Sequence, residues 1–212
     1  MVPVDANARG GTLSIDKRPL TASSTNPYFV LAPGLRLTYK TKSGYDRVTV
    51  LNQTTVIDGV RVRVVEDREI EKGRLTELTY DYYAGDRVTR DVYYFGEDVN
   101  VYRGDSVVSH EGSWRSGTRG AHFGLIMPGE PKVGMQYLQE AAPGTAMDRG
   151  QIASVNETVR TPAGAFHACI RVRETSALEP AVREQKLYAP HIGVVSEGGS
   201  ELVRVEWTAT QH

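Results

Sequence analysis

The chain has 212 residues, with 25 Lys and Arg against 26 Asp and Glu, and a formal net charge of -1 at pH 7. So even a balance provides no basic field to draw the protein onto nucleic acid, and nucleic acid is not expected as a partner. Mean hydropathy is -0.37 and no apolar run approaches the ~18 residues needed to cross a bilayer, so no membrane span is expected in the chain as given.

The first 25 residues are polar and carry neither a basic n-region nor an apolar h-region. Residues 1–25 are therefore expected to be a poorly ordered arm, of the kind left when an export signal is removed. Order is expected from Asn26-Pro27-Tyr28-Phe29, with residues 26–212 forming a single domain.

After the Pro33-Gly34 turn, Leu35, Leu37 and Tyr39 alternate with Arg36, Thr38 and Lys40, the pattern of a half-buried strand. Residues 46–57 and 60–71 read as a hairpin around Asp58-Gly59. Further strands are expected at 74–84, 88–95, 98–103, 135–140, 151–160, 165–175, 182–189, 191–197 and 201–208, separated by turn residues. Residues 111–134, rich in Gly and Pro, read as a structured loop that crosses a sheet edge or covers an opening. No segment carries a sustained helical repeat. The expected fold is all-β: a strongly curved antiparallel sheet forming a barrel or half-barrel with little helix, since twist makes so long a sheet curl. Small barrels either fill with side chains or enclose one ligand.

Several phrases resemble a family of uncharacterised secreted bacterial proteins, often lipoproteins. They are NPYFVLAPG (Asn26 to Gly34), TYDYYAGD (Thr79 to Asp86), VYYFGE from Val92, EGSW from Glu111, GLIMPGEPKVG (Gly124 to Gly134), TPAGAF (Thr161 to Phe166), LEP (Leu178 to Pro180) and KLYAPHIGVV (Lys186 to Val195). The family is distantly similar to incurved-sheet periplasmic lipoprotein carriers, so the resemblance implies a periplasmic or extracellular location. The chain departs from the family pattern in the turn Gly85 to Asp91, at His191 where glycine is expected, and at His167.

Tyr80, Tyr82, Tyr94, Trp114 and Tyr188, with Glu97, are the candidate ligand-binding residues, because tyrosine offers an apolar face and one orienting hydroxyl. By strand alternation Tyr80 and Tyr82 share one face and Asp81 and Tyr83 the other. Cross-strand aromatic pairing that merely holds the sheet together explains the same residues. His110, His122, His167 and His191 are candidate metal ligands, with a divalent metal as the one cofactor these residue types suit, although no zinc-type spacing joins them. Asp81, Glu97, Glu179 and Glu184 are candidate acid–base groups, with Arg171, Arg173 and Arg183 available as ordinary ion-pair partners. Cys169 reads as a small core residue. Met127 to Pro131 reads as a lid over the barrel mouth or a rigid crossover.

The function expected is that of an exported binding protein holding a small or amphiphilic ligand in the concavity of the sheet. One alternative is a metal-dependent or acid–base enzyme using the same cavity, and the other is a structural envelope module without ligand.

Overall fold

The computed structural model describes residues 15–179, 181 and 183–208. The strands in chain order are β1 (Leu20–Thr21), β2 (Leu35–Lys40), β3 (Gly44–Ile57), β4 (Val60–Glu71), β5 (Arg74–Asp86), β6 (Val92–Arg103), β7 (Ser106–Ser109) and β8 (Trp114–Arg115). They continue as β9 (His122–Met127), β10 (Gln136–Leu138), β11 (Glu140–Ala141), β12 (Asp148–Thr161), β13 (Gly164–Ser176), β14 (Glu184–Ala189), β15 (Gly193–Glu197) and β16 (Ser200–Trp207). The described residues contain no helix, as the lack of a 3.6-residue apolar period requires.

One sheet runs in the order β10-β12-β13-β14-β15-β16-β2-β3-β4-β5-β6-β9-β11, with antiparallel pairing between sequence neighbours through most of it. Its two ends are adjacent in sequence. β10 pairs with β12 and β11 with β9, so the short run from Gln136 to Ala141 draws the two edges together and nearly closes a barrel. Gly124 marks the seam: a Cβ there would lie 2.5 Å from the backbone of Gln139. The β3–β4 hairpin turns at Asp58 and Gly59, with φ of 50° and 78°, the two left-handed residues a tight two-residue turn demands.

The segment expected as a structured loop, 111–134, contains β8 and β9, and both pair with β6. Its Met127–Pro131 stretch does not border the cavity described below. The Asn26 side chain donates to the Pro128 carbonyl at 3.0 Å and the Gly129 amide donates to Asp91 at 2.7 Å, which makes the stretch a tied crossover.

The expected arm, 1–25, is described only in part. Residues 1–14 lie outside the described residues, but from Ile15 onward the chain docks: β1 pairs with β5, and Leu20 is buried. The reason is a second apolar cluster on the outer face of the sheet, where Val60, Val62, Val64, Tyr82, Phe95 and Phe123 need a cover that Ile15 and Leu20 provide. Lys17 ties the cover down through a 2.7 Å ion pair with Asp58. Inside the barrel the main core gathers Leu31, Leu35, Val50, Ile152, Ile170 and Val172. Cys169 is buried there, as a small core residue should be.

Candidate functional site: an acidic cavity inside the barrel

The barrel encloses a cavity of about 570 Å³. Its lining changes character in step along neighbouring strands. On β3 the inward series runs Val50, Val48, Asp46; on β4 it runs Val65, Asp67, Glu69, Glu71; on β14 it runs Tyr188, Lys186, Glu184. Antiparallel register keeps these series level, since Val50 faces Val65 and Asp46 faces Glu69. The result is an apolar end walled by Leu31, Leu35, Val50 and Ile126, an aromatic zone of Phe29, Tyr83, Tyr94 and Tyr188, and a belt of carboxyl groups.

The belt consists of Asp46, Asp67, Glu69, Glu71, Asp81 and Glu97 on β3–β6, and of Glu140, Asp148, Glu174, Glu184 and Glu197 on the other strands. Among the described residues lining the cavity, Lys186 is the one cation. Three pairs of carboxyl groups stand directly opposite across a strand pair: Asp46 with Glu69, Asp81 with Glu97, and Glu174 with Glu184. Like charges so placed work against the sheet, and a breach of the rules of stability repeated on one inward face is what a functional site looks like.

Protonation relieves part of this conflict. Burial, reinforced by the Asp81 charge, pushes Glu97 up to about 8, while the hydrogen bond from the Trp114 indole holds it back. Burial likewise raises Glu140 to about 8 and Asp81 to about 6, the latter although the Tyr94 hydroxyl donates to it at 2.6 Å. Asp67 is pushed well above the usual carboxylate range by burial and by its neighbour Asp46. The Oδ1 atoms of Asp46 and Asp67 are buried and have no hydrogen-bond partner. Elsewhere in the belt the charge is answered, because Lys186 Nζ lies 3.1 Å from Glu174 and 2.8 Å from Glu197.

The aromatic zone is a continuous π wall. Phe29 and Tyr83 lie 4.8 Å apart, Tyr83 stacks on Tyr94 at 4.8 Å, and Trp114 meets Tyr94 edge-on at 5.3 Å. A bulge builds this wall: Gly96, at φ 130°, shifts the register between Tyr82 and Tyr83, so that Tyr94 and Glu97 both face the cavity despite their odd spacing. No other residue fits at Gly96, because a Cβ would stand 2.3 Å from the Trp114 carbonyl oxygen.

Of the candidate ligand-binding residues, Tyr94, Tyr188 and Glu97 line the cavity. Trp114 sits just behind Tyr94, its indole N–H donating to Glu97 at 3.2 Å. Tyr80 and Tyr82 do not line it. They lie on the outer face, Tyr82 inside the second apolar cluster with its hydroxyl on Asp98, while their neighbours Asp81 and Tyr83 face inward. Asp81, Glu97 and Glu184 reach the cavity, whereas Glu179 does not.

The histidines are scattered. None of His110, His122, His167 and His191 borders the cavity; His110 is held by the Val99 carbonyl and His167 by Thr158. His191 has a φ of 65°, a left-handed backbone in which the glycine implied by the resemblance would sit without strain. Among the described residues one group has metal-holding geometry, Glu174, Glu184 and Glu197, whose oxygens lie within 4.8 Å of one another, and the Lys186 ammonium already occupies two of the three. Tyr39, Asp46, Asp67, Glu140, Asp148, Glu174, Lys186 and Glu197 were not foreseen as site residues. On β4 the reason is plain: Glu66-Asp67-Arg68-Glu69 carries charge on both faces, so alternation does not tell inside from outside.

Neither a family model nor a curated protein matches the chain. Among solved structures, one described as "a putative lipoprotein from Parabacteroides distasonis ATCC 8503" is similar at 9% identity, covering 85% of this chain and 99% of that one, with a TM-score of 0.44.

Proposed function

We propose that this protein is an exported binding protein that holds a small or amphiphilic molecule inside its barrel. The observation that carries the reading is the graded cavity: about 570 Å³ of space passing from aliphatic to aromatic to carboxyl lining. That volume is in the range of small-molecule sites, and the gradient offers separate surfaces to an apolar body and a polar head. A purely structural barrel would gain stability by filling this space with aliphatic side chains. Export rests on the sequence resemblance.

Native mass spectrometry of the protein purified without detergent is the test. A bound small molecule is expected in the wild type and not in Val48→Trp, whose indole would fill the interior. An empty wild type whose melting temperature responds to no member of a small-molecule library would end the reading.

A second reading has one observation in its favour. Asp81 and Glu97 stand opposite each other with proton affinities pushed to about 6 and about 8, which leaves one able to accept a proton and the other to donate one near neutral pH. Turnover of chromogenic glycoside or ester substrates, lost in both Asp81→Asn and Glu97→Gln, would support acid–base catalysis; no turnover by the wild type would remove it.

A further inference from the structure

We infer that the ligand of this cavity is an organic cation: a molecule with an ammonium head and an apolar body. The inference rests on the binding reading above and narrows it to one chemical class.

The barrel already shows how it handles an ammonium. Lys186 places its own between Glu174 and Glu197, and the acidic cluster on that side is thereby answered. The cluster on β3–β6 has no such answer. Asp46, Asp67, Asp81 and Glu97 form no ion pair with Lys or Arg among the described residues, and the buried Oδ1 atoms of Asp46 and Asp67 receive no N–H or O–H donor, the two carboxyl groups being able only to share a proton with each other. Burying acceptors in this way costs stability unless something donates to them. An ammonium head provides three N–H donors and one positive charge, which suits the two orphaned oxygens of Asp46 and Asp67.

Two further features favour an organic cation over a metal ion. A coordinated Ca²⁺ needs oxygens closing on it at about 2.3–2.6 Å, whereas this cavity is of a size for a whole small molecule. The stacked rings of Tyr83 and Tyr94 also lie beside the carboxyl groups, and such ring faces attract organic cations and shelter a hydrocarbon chain. The aliphatic end at Leu31, Leu35 and Ile126 would receive the far end of that chain.

The test compares decylammonium, decanol and decanoate, three probes with one body and different heads, in low-salt buffer below their micelle thresholds. Binding is read from Trp114 fluorescence in a Trp207→Phe background, because Trp207 is the other tryptophan and lies exposed on β16, whereas Trp114 backs the cavity wall. Decylammonium is expected to bind at least about tenfold more tightly than decanol, with decanoate weakest. Asp46→Asn combined with Asp67→Asn is expected to weaken decylammonium about tenfold or more and decanol by far less, with far-UV circular dichroism and a cooperative melt showing that the variant is folded. Equal binding of decylammonium and decanol, or preferred binding of decanoate, overturns the cation assignment while the binding reading stands. Stoichiometric binding of calcium chloride that excludes decylammonium also overturns it. If none of the three probes changes Trp114 fluorescence, the cation assignment falls, while native mass spectrometry of the wild type decides the binding reading separately.

Discussion

Glu97→Gln separates a carboxyl group kept for function from one kept for stability. Glu97 faces Asp81 across the β5–β6 pair, lies beside Tyr94 and Trp114, and feels the charge of Glu77. The folded protein raises it from the ordinary 4.5 to about 8, so between those values the folded state holds a proton that the unfolded chain has released. The stability Glu97 contributes is therefore fully present below about pH 4.5 and is lost as pH rises to about 8. At about 1.4 kcal/mol per tenfold change in proton affinity the ceiling is about 5 kcal/mol. Because the side chain is half-buried against an open cavity, solvent screens the charge, and about 2 kcal/mol is the expected cost of ionisation. Glutamine keeps the Oε1 acceptor for the Trp114 indole and cannot ionise. Thermal unfolding followed from pH 5 to pH 9 in metal-free, low-salt buffer should show wild-type melting temperature falling with pH. The variant should match wild type at pH 5 and melt roughly 4–8 °C higher at pH 9, at the ~2–4 °C per kcal/mol typical of a domain this size. Equal slopes for the two proteins, or a variant destabilised as much at pH 9 as at pH 5, would refute the argument.

Lys186→Met should destabilise the fold by about 3–5 kcal/mol, measured by urea unfolding at pH 8, because it leaves Glu174 and Glu197 inside the barrel without their cation. Gly124→Val should prevent closure of the barrel seam, since its Cβ would overlap the backbone at Gln139, and amide hydrogen exchange should rise in β9 through β12. Leu20→Asp should detach the docked arm, expose the outer cluster to the dye ANS and cost about 2–4 kcal/mol, with the interior cavity unchanged.

Much of the strand framework was legible from alternation and turn residues. The Asp58-Gly59 hairpin, the alternating β2 and the long β12–β13 pair form where the patterns place them, because a period of two and a two-residue left-handed turn are local properties. The site was legible only in part. Tyr94, Tyr188 and Glu97 were identifiable as aromatic and acidic residues in strands, but Tyr80 and Tyr82 stand on the wrong side of β5 for a cavity. Each face of that strand carries an attractive set, Tyr80 and Tyr82 against Asp81 and Tyr83, and both faces are buried, one by the barrel and one by the arm. Gly96 was the available sign of a bulge, since glycine within a strand often marks one.

By itself the sequence determined the all-β class, the absence of any helical face and the positions of the tightest turns, because these depend on residues within a few positions of one another. Only the tertiary structure decided which face of each strand points inward and that eleven carboxyl groups share one enclosure with a single lysine. The physical reason is that a chain with 25 basic and 26 acidic residues looks neutral when summed along its length, whereas strand register and barrel closure sort those charges in space, and among the described residues they bring eleven acids but one base to the cavity wall.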